Sequence, residues 1–252
     1  MQLLSGFAHV SPLQLLLVAA VAFGASVIGG VTGYGTGALM PLVLVPIIGA
    51  EPVVPIIAIS SLFTNTTRSI AFLRLVDPRR VLIVLVGAIP TCVLGAYGYT
   101  RLNDRGAMIV IGGMMIASIP LRRFLKRRKI SLTDRGLATG GLGYGLVVGG
   151  TAGAGIVLLS LLMAAGLEGA AVIATDAVIS IAIGIVKISV FGTMGIVGAQ
   201  IVAFALLIGL MVLPGAFLAK AIVDRLPVHV HTAVLDAVVI GGGMFLLIGA
   251  MG

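Results

Sequence analysis

Long apolar stretches alternate along the chain with short polar or glycine-rich breaks. The apolar stretches cover 12–34, 36–49, 51–73, 81–100, 105–120, 136–150, 151–166, 168–191, 195–222 and 230–251. Most approach the ~20 residues a helix needs to cross a hydrocarbon core of about 30 Å. The pieces 36–49 and 151–166 are shorter, and each follows a cluster of glycines. The pattern predicts an all-α polytopic membrane protein.

The order of long and short pieces occurs twice. Gly29, Gly30, Gly33 and Gly35 lie 120 positions before Gly149, Gly150, Gly153 and Gly155 (149 − 29 = 120). In each half an acidic residue, Glu51 or Glu168, precedes the next long stretch, as the helix dipole favours. Chance in a glycine-rich chain is the competing explanation. An internal duplication accounts better for four matched glycines in matched segments. The expected division is an N-terminal transmembrane repeat over 1–120, a basic cytoplasmic loop over 121–135 and a C-terminal transmembrane repeat over 136–252.

Composition sharpens this reading. Hydrophobic residues make up 60% of the chain and charged residues 10%, against about 25% charged in soluble domains. The N-terminus lacks the basic region and cleavage site of a secretory signal, so 12–34 is kept as structure. The net charge is +8, and much of the excess sits in Arg122, Arg123, Lys126, Arg127, Arg128, Lys129 and Arg135. Phe124 is the one aromatic residue among these charges, too little for a base-stacking surface, so the cluster reads as a cytoplasmic loop obeying the positive-inside bias, in contact with the lipid bilayer, with no nucleic acid as partner. Putting that loop in the cytoplasm also puts the Arg74–Arg80 segment inside, whereas Arg101 and Arg105 face outward. The halves then enter the membrane from opposite faces. The expected fold is two inverted-topology repeats, each a glycine-broken or re-entrant helix pair plus three spanning helices, in a multi-pass protein of the cytoplasmic (inner) membrane.

Chemistry-bearing residues are few. The glycine breaks would let Gly33, Tyr34, Gly35 and Thr36 in one half, and Thr151, Gly153 and Gly155 in the other, present backbone N–H groups and hydroxyls to an anion. Glycine used only for close helix packing is the plainer alternative. Ser61, Thr64, Asn65 and Arg68 recur at i, i+3, i+4 and i+7 and so share one helix face. A guanidinium there suits an oxyanion, unless Arg68 snorkels to headgroups. In the second half Asp176 and Lys187 are eleven residues apart, close to three turns, and face the same way. Asp176 reads either as a structural ion-pair partner or as a coupling carboxylate that carries a proton; Lys187 reads as its charge partner or as a snorkelling side chain. Pro90, Pro214 and Gly215 are candidate kinks. An H-x-H pair, His229 and His231, fits a polar helix start better than a metal site. No cofactor, metal site or catalytic constellation is expected. In particular there is no P-loop, so a coupled ion gradient is the simplest energy source, and homo-oligomerisation is left open.

At these residues the chain resembles the TauE/SafE family of sulfite and organosulfonate exporters. The resemblance rests on Gly29-Gly30-Val31-Thr32-Gly33-Tyr34-Gly35-Thr36-Gly37 followed by Pro41, on the polar third segment ending in Arg68, on the basic central loop and on the second glycine run 149–155, where Ala154 stands in place of Tyr34. It implies an inner-membrane permease that moves sulfur-containing anions, usually outward. The expected function is secondary export of small anions, with sulfite or organosulfonates foremost, by alternating access. An anion channel, or a permease for another small solute such as a carboxylate, is the alternative.

Overall fold

A computed structural model of the 252-residue chain describes residues 4–8, 10–32, 35–128, 131–223 and 228–251. Side chains at 4, 28–32, 35, 122–128, 216–223 and 228–237 are outside that description. His229 and His231 and most of the central basic cluster are among them.

After a short 3-10 turn at Leu4–Phe7, the described residues form ten α-helices: α1 Pro12–Thr32, α2 Gly35–Ile48, α3 Val53–Ala71, α4 Pro78–Tyr99, α5 Asp104–Arg128, α6 Asp134–Gly150, α7 Gly155–Ala164, α8 Ala170–Thr193, α9 Ala199–Val223 and α10 Val228–Met251. The helices follow the apolar stretches closely, with two differences, one being that α7 begins only at Gly155 within the 151–166 stretch. The other is that α5 continues to Arg128, so much of the 121–135 segment is helix. Its arginines and lysines are good helix formers.

Helix ends follow local chemistry. Asp77 caps α4 by accepting the Arg80 N–H, with Pro78 at the first helical position, where a missing N–H costs nothing. Thr133 caps α6 by accepting the Gly136 N–H at 3.3 Å. α7 and α8 end in the same way. Gly166 (φ 89°) and Gly195 (φ 73°) take the left-handed conformation. The next residue's N–H returns to the helix, Leu167 to the Leu162 carbonyl and Ile196 to the Phe191 carbonyl, which satisfies the last carbonyls.

α4 illustrates how a membrane helix divides its faces. Leu82 and Val86 are 65% and 75% exposed and Leu94 is 62% exposed, so this face meets lipid. On the opposite face Gly87 and Gly95 press against α6, which answers with Gly141, Gly145 and Gly149. A Cβ at Gly95 would fall on the Leu146 carbonyl, and one at Gly145 on the Ala88 carbonyl. Small residues here let the backbones touch, the favoured contact where lipid supplies no hydrophobic drive between helices. Among the described residues, three helical stretches, Pro78–Tyr99, Asp104–Leu121 and Ala170–Thr193, are long and apolar enough to cross a membrane by length and composition.

The principal packings come in exchanged pairs. α4 lies on α6 as α9 lies on α1; α3 meets α9 as α8 meets α4; α2 meets α10 as α7 meets α5; α3 packs on α8 and α5 on α10. Replacing each helix by the one five places along the chain therefore returns the same principal helix pairs. Two apolar cores follow: one is built chiefly from α4, α6, α7 and α8, and the other contains α1, α2, α3 and α9 together with α5 and α10.

Candidate functional site

α3 and α8 pack on each other, and each carries charge within its apolar run, Arg68 on α3 and Asp176 and Lys187 on α8. A cavity of about 130 Å³ opens beside them, bordered also by the start of α2, by α6 and by the 151–155 link. Several waters' worth of space is available there.

Of the residues singled out in the sequence, Thr36, Ser61, Asn65, Arg68, Thr151, Gly153, Gly155, Asp176 and Lys187 all line this cavity. Gly33 and Tyr34 lie outside the described residues, and Gly35 is described only as the first backbone position of α2. Glu51 and Glu168 are exposed just ahead of α3 and α8.

The glycine breaks meet. Gly153 holds φ at 81°, a conformation that side-chain-bearing residues enter at a cost. A Cβ on Gly37 would stand 3.2 Å from the Gly153 nitrogen, and one on Gly153 would stand 3.3 Å from the Gly37 oxygen. The start of α2 and the approach to α7 thus cross backbone to backbone at the cavity wall. Thr151 is the C-cap of α6 and precedes α7 by several residues. Its hydroxyl is donated to the Ala152 carbonyl at 3.3 Å.

Arg68 turns inward. Its guanidinium Nη2 stands 3.3 Å from Asp176 Oδ2, and Nη1 donates to Asn65 Oδ1 at 3.4 Å. With the side chains 13% and 3% exposed, the snorkelling alternative for Arg68 does not hold. Nor does it hold for Lys187, which is 5% exposed. Its Nζ donates to the Val148 carbonyl at 2.8 Å and to the Thr151 carbonyl at 3.0 Å. These carbonyls belong to the last turn and cap of α6, where the helix dipole welcomes a cation. An ammonium has three donors, so one remains beyond these two. Thr64 Oγ1 and Asp176 Oδ1 are buried without a hydrogen-bond partner among the described residues, which is costly unless something else occupies the space beside them.

The two helices contribute register-equivalent positions. Ile57, Ser61, Thr64, Asn65 and Arg68 on α3 correspond to Asp176, Ser180, Ile183, Gly184 and Lys187 on α8 at a constant offset of 119 (187 − 68 = 119). Arg68 and Lys187 are thus one of these five offset-matched pairs, one cation on each helix. Sequence reasoning passed over Tyr144, which is 2% exposed and lines the cavity from α6. The available signal is its place among Gly140, Gly141, Gly143 and Gly145, as the one aromatic side chain in that run.

Among the described residues no three His, Cys, Asp or Glu side chains gather as metal ligands do. The arrangement offers two cationic donors, an amide, hydroxyls and backbone N–H groups around a small, partly open space, the equipment for holding a small oxyanion. No curated protein and no solved structure matches the chain. Residues 18–246 match the family model described as Sulfite exporter TauE/SafE, and with nearly the whole chain covered, the protein belongs to that family of membrane transporters.

Proposed function

We propose that this protein is a secondary exporter of small anions, sulfite or organosulfonates foremost, and that the cavity between α3 and α8 is where the anion binds. One observation carries the reading: Arg68 and Lys187, register-equivalent cations from the two halves, line the same buried cavity. Family membership supports the substrate class, and the planar guanidinium suits an oxyanion. Ser61, Asn65 and Thr36 add neutral polar groups, and Thr151, Gly153 and Gly155 bring backbone close. Gly33, Tyr34 and Gly35 complete the first glycine break in this reading.

The mechanism we infer is alternating access. The exchanged-pair packing supports two repeats related by a two-fold axis. Five helices per half, with the first two acting as one hairpin, make the repeats inverted, with α1–α5 as one and α6–α10 as the other. A site on the axis between them is where such folds bind substrate. The positive-inside bias assigns the Arg74–Arg80 and central basic segments to the cytoplasm of the cell that holds the protein in its inner membrane.

Thermal unfolding of detergent-purified protein with sulfite, methanesulfonate, acetate and chloride at matched ionic strength tests the site. Sulfite or the sulfonate at 100 times its dissociation constant should stabilise by about 2.7 kcal/mol, and the Lys187→Met variant should lose that gain. Stabilisation by none of the anions, in folded protein, rejects the anion site. Single-channel currents in bilayers would reject alternating access.

A further inference from the structure

We infer that Asp176 balances the charge of the bound substrate: it stays ionised beside a monoanion and takes up one proton, at Oδ1, beside a dianion. The protein then carries monoanions alone and dianions together with a proton. The inference rests on the anion-site reading above.

Three charged side chains line the cavity among the described residues, Arg68, Lys187 and Asp176. Two positive and one negative charge leave a net +1. A monoanion cancels that. A dianion leaves one negative charge over, in an interior where an uncompensated charge is expensive and where each change of access must carry the filled site through low dielectric. One proton restores neutrality, and the groups available to take it are few. The Arg68 guanidinium is donor-only, with no acceptor site for a further proton. Lys187 already spends two ammonium donors on the α6 carbonyls. From the other elements packed on α8, Tyr144 (α6) and Cys92 (α4) are buried phenol and thiol, uncharged at ordinary pH. Asp77 and Arg80 pair with each other at the head of α4, Arg79 pairs with Asp134 outside the cavity, Arg74 is exposed, and α7 has no titratable side chain.

Asp176 alone combines a titratable group with a vacancy. Oδ2 holds Arg68 at 3.3 Å, while Oδ1 is buried without a partner among the described residues. A proton on Oδ1 leaves the Arg68 contact in place. It also converts an unsatisfied acceptor into a donor on a side chain that already lines the cavity. The proton comes from the aqueous side that loads the anion and leaves with the anion on the other.

Sulfate and methanesulfonate, a dianion and a monoanion whose charges are constant over the neutral range, provide the test. Calorimetric titration of the full chain in detergent, in two buffers of different ionisation enthalpy, counts protons taken up per anion. The expected result is about one proton for sulfate and about none for methanesulfonate, with sulfate affinity falling about tenfold per pH unit and methanesulfonate affinity flat. Asp176→Asn should abolish the sulfate uptake, and Asp176→Glu should keep it. Equal uptake for the two anions overturns the inference, as does uptake that survives in Asp176→Asn, or sulfate that fails to bind at any pH where methanesulfonate binds. The comparison in the unaltered protein decides even if a variant does not fold. Failure of both anions to bind rejects the anion site itself, a separate result.

Discussion

Arg68 and Asp176 each make the other tolerable inside the protein. Removing one partner of a buried pair costs about 3–5 kcal/mol, because the other charge is left uncompensated. The variant Arg68→Ala should therefore lose both thermal stability and anion flux. Adding Asp176→Asn removes the orphaned carboxylate, so the double variant should recover most of the stability and none of the flux. Recovery of both would make Arg68 a structural residue alone. The sequence gives up this pair only halfway. Helical spacing puts Arg68 on the face of Ser61 and Asn65, and Asp176 on that of Lys187, because both are distances along a single helix. That the two faces meet is a fact of packing between α3 and α8, 108 residues apart (176 − 68 = 108), which no local periodicity encodes. Lys187 shows the same limit. Near a helix end it looks free to snorkel, and only the fold brings it to the open carbonyls of α6.

Helices and breaks are the most legible scale, since apolar length and glycine clustering are properties of contiguous residues. Even so, the crossing of the two breaks is visible only in three dimensions. Gly153→Ala forces a side chain into φ 81° and sets its Cβ 3.3 Å from the Gly37 oxygen. It should cost roughly 1–2 kcal/mol and weaken anion binding, because the displaced backbone is cavity wall. Unchanged binding with lowered stability would confine Gly153 to packing. α4 offers a second element-level prediction. The Arg80 N–H, at 3.0 Å, and then the Arg80 guanidinium hold the Asp77 carboxyl below its usual range, against the opposing effect of burial. A carboxylate with a depressed folded-state pKa stabilises above the ordinary Asp range, and that contribution is lost as pH falls through the folded value. Asp77→Ala should therefore lower stability by about 1 kcal/mol at neutral pH. The gap to the unaltered protein should begin to narrow below about pH 4 and close as pH falls through the depressed folded value. A gap that persists in acid would assign the effect to packing instead of the cap.

The whole molecule is tied at both ends by contacts on its two short helices. At one end Arg80 donates from Nε and Nη2 to the Ala165 carbonyl at the close of α7, at 3.2 and 2.9 Å. There the Leu132 N–H reaches Ala164 at 2.7 Å, and the Asp77 N–H reaches the Thr175 hydroxyl at 3.1 Å, one residue from Asp176. At the other end Asp104 accepts from the Ala50 and Glu51 N–H groups, and the Tyr99 hydroxyl donates to the Ala50 carbonyl at 2.7 Å, just past the close of α2. α2 and α7 are exchange partners whose starts border the cavity and whose ends are fastened at opposite extremities. Loosening one fastening should bias the cavity toward that face. Cys92 is the only cysteine, so a Cys92→Ser chain carrying Ser61→Cys has one reporter thiol in the cavity. Adding Arg80→Ala should raise its labelling by an impermeant maleimide from the Arg80 face, and adding Asp104→Ala should raise it from the opposite face. Methanesulfonate, which does not consume the maleimide, should protect the thiol in both. Two variants that open the same face, or neither, would disconnect these fastenings from access. Opposite responses would mean that a duplicated short helix, held at its far end and broken at its near one, is the unit that moves.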